Sequence, residues 1–171
     1  MDKVNYINKY KTLAYDTGLA FGIPPSIVLA VSILETGWGE SELAKNYNNF
    51  FGIKCHNYHN CIYLYNSEWR KYFSPDQSFS DFGLFLKDNQ RYSNCFNYGL
   101  LDYNSWADCL QNSGYAGNST TYANKLKVII DKENLHELDA EANAEILAYA
   151  DYKPWLWVLV GVISVGIIFK K

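Results

Sequence analysis

The stretch from Pro24 to Gly37 constrains what this chain can fold into more than any other. Gly22-Ile23-Pro24-Pro25 breaks the helix that precedes it, and Pro25 suits the first turn of a new one. Ile27, Val28, Val31 and Leu34 then form an apolar stripe that ends at Gly37. Such a stripe has to face a core. Glu35 sits in the last turn, on the same face as Val31 and Val28, so its carboxyl lies against that core and not in open water. Burial and the negative end of the helix dipole both favour the protonated acid. A helix-end glutamate taken alone is more often solvated and idle, so the weight of Glu35 depends on its sequence neighbours.

The rest of the chain reads as mainly helical. Residues 3–19 place Val4, Ile7 and Ala14 at loosely helical spacing. Ser78-Phe79-Ser80-Asp81 looks like a cap ahead of Phe82, Phe85 and Leu86, and residues 119–134 present Tyr122, Leu126, Ile129 and Ile130 at helical intervals. From Ile53 to Tyr72, aromatic and aliphatic residues cluster between Asn-rich turns, which predicts a short β-hairpin or irregular lobe. At 171 residues the chain is long enough for one ordinary domain with appendages.

A formal net charge of −3 gives no basic footprint for nucleic acid, which is dropped as a partner. The 15 Tyr and 5 Trp exceed what a core needs and suit a carbohydrate groove, although any single ring is more simply a surface or interface residue. Cys55, Cys61, Cys95 and Cys109 fall in two sequence-local pairs, compatible with disulfides and equally with buried free thiols. His56 and His59 stand beside the first pair, but the spacing matches no recognised zinc pattern, and no metal or organic cofactor is expected.

Residues 136–154 are rich in acids and alanines and read as an acidic, partly helical spacer. Trp155 to Phe169 is 15 residues without a charge, closed by Lys170-Lys171. As a helix it spans ~22 Å, enough to cross a bilayer if Trp155, Trp157 and the lysines sit at the interfaces. The alternative is a buried core helix; the anchor is the expectation. The opening Met1-Asp2-Lys3-Val4-Asn5 does not read as a secretory signal peptide.

The neighbours of Glu35 form a series of motifs. They are Glu35-Thr36-Gly37-Trp38-Gly39-Glu40-Ser41, Asn48-Asn49-Phe50-Phe51-Gly52-Ile53-Lys54, Arg70-Lys71-Tyr72-Phe73-Ser74 and Ser78-Phe79-Ser80-Asp81-Phe82. Asn89-Gln90-Arg91-Tyr92, Leu110-Gln111-Asn112-Ser113-Gly114-Tyr115-Ala116 and Thr121-Tyr122-Ala123-Asn124-Lys125-Leu126 follow. In this order and spacing they resemble glycoside hydrolase family 73, the peptidoglycan N-acetylglucosaminidases, over roughly residues 20–135.

The resemblance implies a mainly helical, α+β lysozyme-like domain with a small β-hairpin lobe, to which the sequence adds a C-terminal transmembrane helix. The expected division is a domain over 1–135, a spacer over 136–154 and an anchor over 155–171. The implied reaction is hydrolysis of the β-1,4 bond between N-acetylglucosamine and N-acetylmuramic acid, with Glu35 in the general-acid position. A second carboxylate is expected on the lobe, and Glu68 is nominated because it is the only acid between Lys54 and Trp69; a surface hairpin glutamate is the plainer reading. Trp38, Asn49, Phe51, Tyr92, Tyr115 and Tyr122 are the expected substrate-binding residues, with core packing as their alternative. Gly117-Asn118 stands where family members often carry Thr-Asp, which blurs which tyrosine reaches the sugar. Rival readings are a muramidase or lytic transglycosylase on the same polymer, and a non-catalytic glycan-binding membrane protein. With the anchor, the expected location is a bacterial envelope or the membrane of a bacteriophage particle.

Overall fold

The computed structural model describes residues 2–152. Helix α1 (Lys3–Phe21) starts where the Asp2 carboxylate accepts the Asn5 N–H at 2.9 Å. Its Tyr6, Tyr10, Ala14 and Thr17, spaced by four, four and three, form the buried face. That face packs on α2 (Pro25–Thr36), where every residue from Pro25 to Ile33 is buried. The sequence predicts a stripe; the structure covers the whole circumference, leaving only Leu34 and Glu35 partly open near the C-terminal end. Gly37 ends the helix in the left-handed conformation (φ 55°), donating its N–H to Ile33.

Short α3 (Glu42–Tyr47) leads into the lobe, whose hairpin pairs β1 (Cys61–Leu64) with β2 (Ser67–Arg70), Ile62 opposite Trp69 and Tyr63 opposite Glu68. Lys54 bridges to Trp69, so residues 53–55 run along the other edge of β2. Helix α4 (Pro75–Asp88), capped by Ser74, returns to the helical body with Phe79, Phe82 and Leu86 inward. A 3₁₀ segment (Gln90–Asn97), α5 (Tyr103–Asn112) and α6 (Tyr122–Lys132) complete the wall around α2. Both cysteine pairs are disulfides: Cys55–Cys61 closes a loop of the lobe, and Cys95–Cys109 ties the 3₁₀ segment to α5.

The acidic stretch expected as a partly helical spacer is α7 (His136–Tyr152), and it packs on α1 and α2. Asp139 and Ala142 are buried. Pro24 offers α2 no side-chain cap, and Asp139 supplies one from across the chain. Its carboxylate accepts the Ser26 N–H at 2.8 Å and the Ser26 hydroxyl at 2.6 Å. Tyr15 of α1 donates to Glu145 at 2.7 Å farther along α7.

The expectation of a transmembrane helix is corrected here. Among the described residues no helix is long and apolar enough to cross a membrane, and the last one carries Glu137, Asp139, Glu141 and Glu145. The run from Trp155 to Phe169 lies outside the described residues.

Burial pushes the Asp139 carboxyl up to about 6, against the lowering effect of its bonds to Ser26. The folded state therefore holds this proton more tightly than the unfolded chain, and the resulting stability fades as pH rises through about 6. Asp139→Ala, which strands two donors of Ser26, should cost about 1–3 kcal/mol in urea unfolding. Asp139→Asn keeps an acceptor but no titration, so its stability should lack the wild-type decline between the unfolded carboxyl value and pH 7; an unchanged slope would refute the assignment.

Candidate active site

The C-terminal turn of α2 delivers Glu35 to a groove of about 470 Å³ between the helical body and the lobe. Its wall contains Phe51, Gly52, Ile53, Lys54, His56 and Trp69 on the lobe side, with Phe85, Arg91, Tyr92, Tyr115 and Ala116 opposite. Glu35 is the only carboxylate among these lining residues. The Tyr122 hydroxyl donates to Glu35 Oε1 at 3.0 Å. Tyr115, its ring 5.8 Å from that of Tyr122, donates to the backbone oxygen of Phe51 at 2.9 Å and so ties helical body to lobe.

Gly52 makes room for the acid. Its φ of +61° suits glycine, and a Cβ there would lie 3.5 Å from Glu35 Oε2 and 4.0 Å from the Trp69 ring. Burial raises the Glu35 pKa above the usual glutamate range, and the hydrogen bond from Tyr122 opposes it. Burial is the larger effect, so the site favours a protonated acid. The same burial holds the Tyr115 and Tyr122 hydroxyls well above their ordinary value, which keeps Tyr122 a neutral donor to Glu35.

The expected site residues divide. Glu35, Tyr122, Tyr115 and Tyr92 come together, Tyr92 packing its ring against Phe85 and Tyr115. Phe51 borders the groove but is only 1% exposed, its ring stacked 4.1 Å from that of Phe82. Asn49, also 1% exposed, spends its amide on backbone: Nδ2 donates to the Ile53 and Arg70 oxygens, and Oδ1 accepts the Ile53 N–H. It braces the lobe and has no atom in the groove wall. Trp38 packs edge-on against Tyr6 with the Lys3 ammonium 4.9 Å from its ring, away from the groove lining.

Glu68 is exposed and does not line the groove. Successive residues of a strand point to opposite faces, and β2 turns Trp69 inward, so Glu68 points out. Strand alternation is the signal that marks Trp69, the inward neighbour of Glu68, as the groove residue of β2. Lys54 and Arg91 also line the groove, and no spacing or periodicity in the sequence marks them for it. Among the described residues no group of three His, Cys, Asp or Glu side chains is placed to hold a metal.

A family model described as mannosyl-glycoprotein endo-beta-N-acetylglucosaminidase matches residues 11–135. The chain is similar to the peptidoglycan hydrolase FlgJ of Vibrio cholerae, 30% identical over 156 residues covering 80% of this chain and 46% of that protein. It is also similar to the exo-glucosaminidase LytG of Bacillus subtilis, 32% identical over 136 residues covering 70% and 47%. The chain thus spans about half the length of these relatives. Among solved structures, the catalytic domain of the autolysin Auto from Listeria monocytogenes matches with a TM-score of 0.68 at 25% identity, covering 81% of this chain and 89% of that one.

Two outcomes follow from the Glu35 environment. Tyr122→Phe removes the one bond that lowers the Glu35 pKa, so carboxyl NMR titration should show a value above that of the wild type; a lower one would mean that the Tyr122 bond does not favour the carboxylate. Because the folded pKa is raised, stability tied to the Glu35 proton is lost as pH rises through that value. Glu35→Gln should therefore melt higher than the wild type at pH 8, with the gap closing in acid.

Proposed function

Since the chain belongs to the glucosaminidase family, we propose that it hydrolyses the glycan strands of bacterial peptidoglycan at N-acetylglucosaminyl bonds, with Glu35 as the general acid. One observation carries the reading: a half-buried glutamate, its pKa raised by burial, stands alone among the groove residues as a carboxylate with a tyrosine hydroxyl holding one oxygen. The peptidoglycan hydrolase and the glucosaminidase to which the chain is similar support the choice of polymer.

The protonated Glu35 gives its proton to the glycosidic oxygen as the bond to the anomeric carbon breaks. Tyr122 fixes the carboxyl, leaving the oxygen it does not hold to face the groove near Gly52. Water then adds to the anomeric carbon and gives a proton to the Glu35 carboxylate, which restores the acid. Trp69 and Phe85, both partly exposed, offer flat apolar faces on either side of the groove for pyranose rings, with the buried Tyr92 packed behind Phe85.

A second reading draws on the solitary carboxylate. A lytic transglycosylase needs no carboxylate to steer water, because a hydroxyl of the sugar itself attacks. Mass spectrometry of released fragments separates the two, through the reducing-end sugar and any anhydro product.

Glu35→Gln should lower the rate of wall hydrolysis by about 10²- to 10⁴-fold while leaving the fold intact. A variant keeping more than half of wild-type turnover would sink the mechanism. Glu68→Gln, at an outward-facing position, should stay within about twofold of the wild type; a loss comparable to that of Glu35→Gln would return Glu68 to the acid pair.

A further inference from the structure

Two cations stand on the groove wall without an ion pair among the described residues. Lys54 Nζ donates to the Ser67 hydroxyl at 2.9 Å and lies 5.2 Å from the centre of the Trp69 ring. Arg91 is exposed on the opposite wall, its guanidinium 5.9 Å from the Tyr92 ring. The one carboxyl of the groove, Glu35, is biased toward its neutral form. A generally basic surface does not explain them, since acids outnumber Lys and Arg by 18 to 15. Arg91 also borders an adjoining cavity of about 560 Å³, so it stands where the groove opens sideways. In that cavity Asp81 is held by Arg70 at 2.6 Å, which leaves Asp88 as the nearby acid without that neutralisation.

A chain of N-acetylglucosamine alone is uncharged and would give these cations nothing to bind. The muramyl sugars of a wall glycan carry peptide substituents whose carboxylates project away from the strand. We propose that Lys54 and Arg91 are specificity-determining residues that receive those peptide carboxylates on either side of the groove, so that the protein selects peptide-bearing glycan over bare glycan. This rests on the peptidoglycan reading given above and names the part of the substrate that is recognised. Both side chains are exposed, and replacing them leaves the core untouched.

The test uses the full chain carrying Glu35→Gln, so that cleavage plays no part, and measures sedimentation with insoluble peptidoglycan. The polymer is supplied intact, with its carboxylates coupled to a neutral amine by carbodiimide, or stripped of peptides so that only lactyl carboxylates remain. Intact polymer should bind about five- to tenfold more tightly than either treated form at low salt, from two exposed charge contacts. Adding Lys54→Gln and Arg91→Gln should erase that difference, whereas Arg91→Lys should retain most of it. Equal binding to intact and neutralised polymer, or a preference that survives the double substitution, overturns the proposal. Undiminished binding to the stripped polymer also overturns it, by assigning the contact to lactyl groups. Turnover by the wild-type chain is read separately, so failure of the hydrolase reading is distinguishable from failure of charge selection.

Discussion

A helix buried around its whole circumference can persist in water only if every neighbour stays in place, and α2 imposes that demand on this molecule. Helix α1 covers it with a tyrosine-rich face, α5 and α6 with Trp106, Leu110, Leu126 and Ile130, and α7 with its first turns. The burial that stabilises the fold also sets the chemistry. The apolar surroundings of the last turn disfavour a charge on Glu35, so the scaffold and the acid depend on the same packing.

The lobe is the second dependent part. It has two four-residue strands, too few to stand alone, and three kinds of tie hold it: the amide of Asn49, the hydroxyl of Tyr115 and the Cys55–Cys61 disulfide. Arg70 adds a fourth, reaching Asp81 of α4 at 2.6 Å, where Tyr72 also donates. The groove between Glu35 and Trp69 is therefore framed by ties of which only Tyr115 also lines it.

Much of this was legible in the sequence, for physical reasons. Pro25 and Gly37 bracket α2 because one lacks an N–H and the other tolerates a left-handed backbone, and both constraints are local. The motif order brought Glu35, Tyr92, Tyr115 and Tyr122 into one reading, and they meet in space. Roles that depend on long-range partners were not legible. Asn49 reads like a groove residue until Ile53 and Arg70 are seen to occupy its amide. Asp139 reads like one solvated acid among several, because nothing local tells that it meets Ser26 113 positions earlier.

That pairing of Ser26 with Asp139 bears on how the catalytic unit can be handled as a module. The region matched by the family model stops at residue 135, four positions short of the carboxylate that closes the N-terminal end of α2. A graft cut at that border would leave Ser26 without its partner at the far end of the helix that carries Glu35. The portable piece is the family region together with the whole of α1 and with α7, and a fusion partner belongs beyond that last helix.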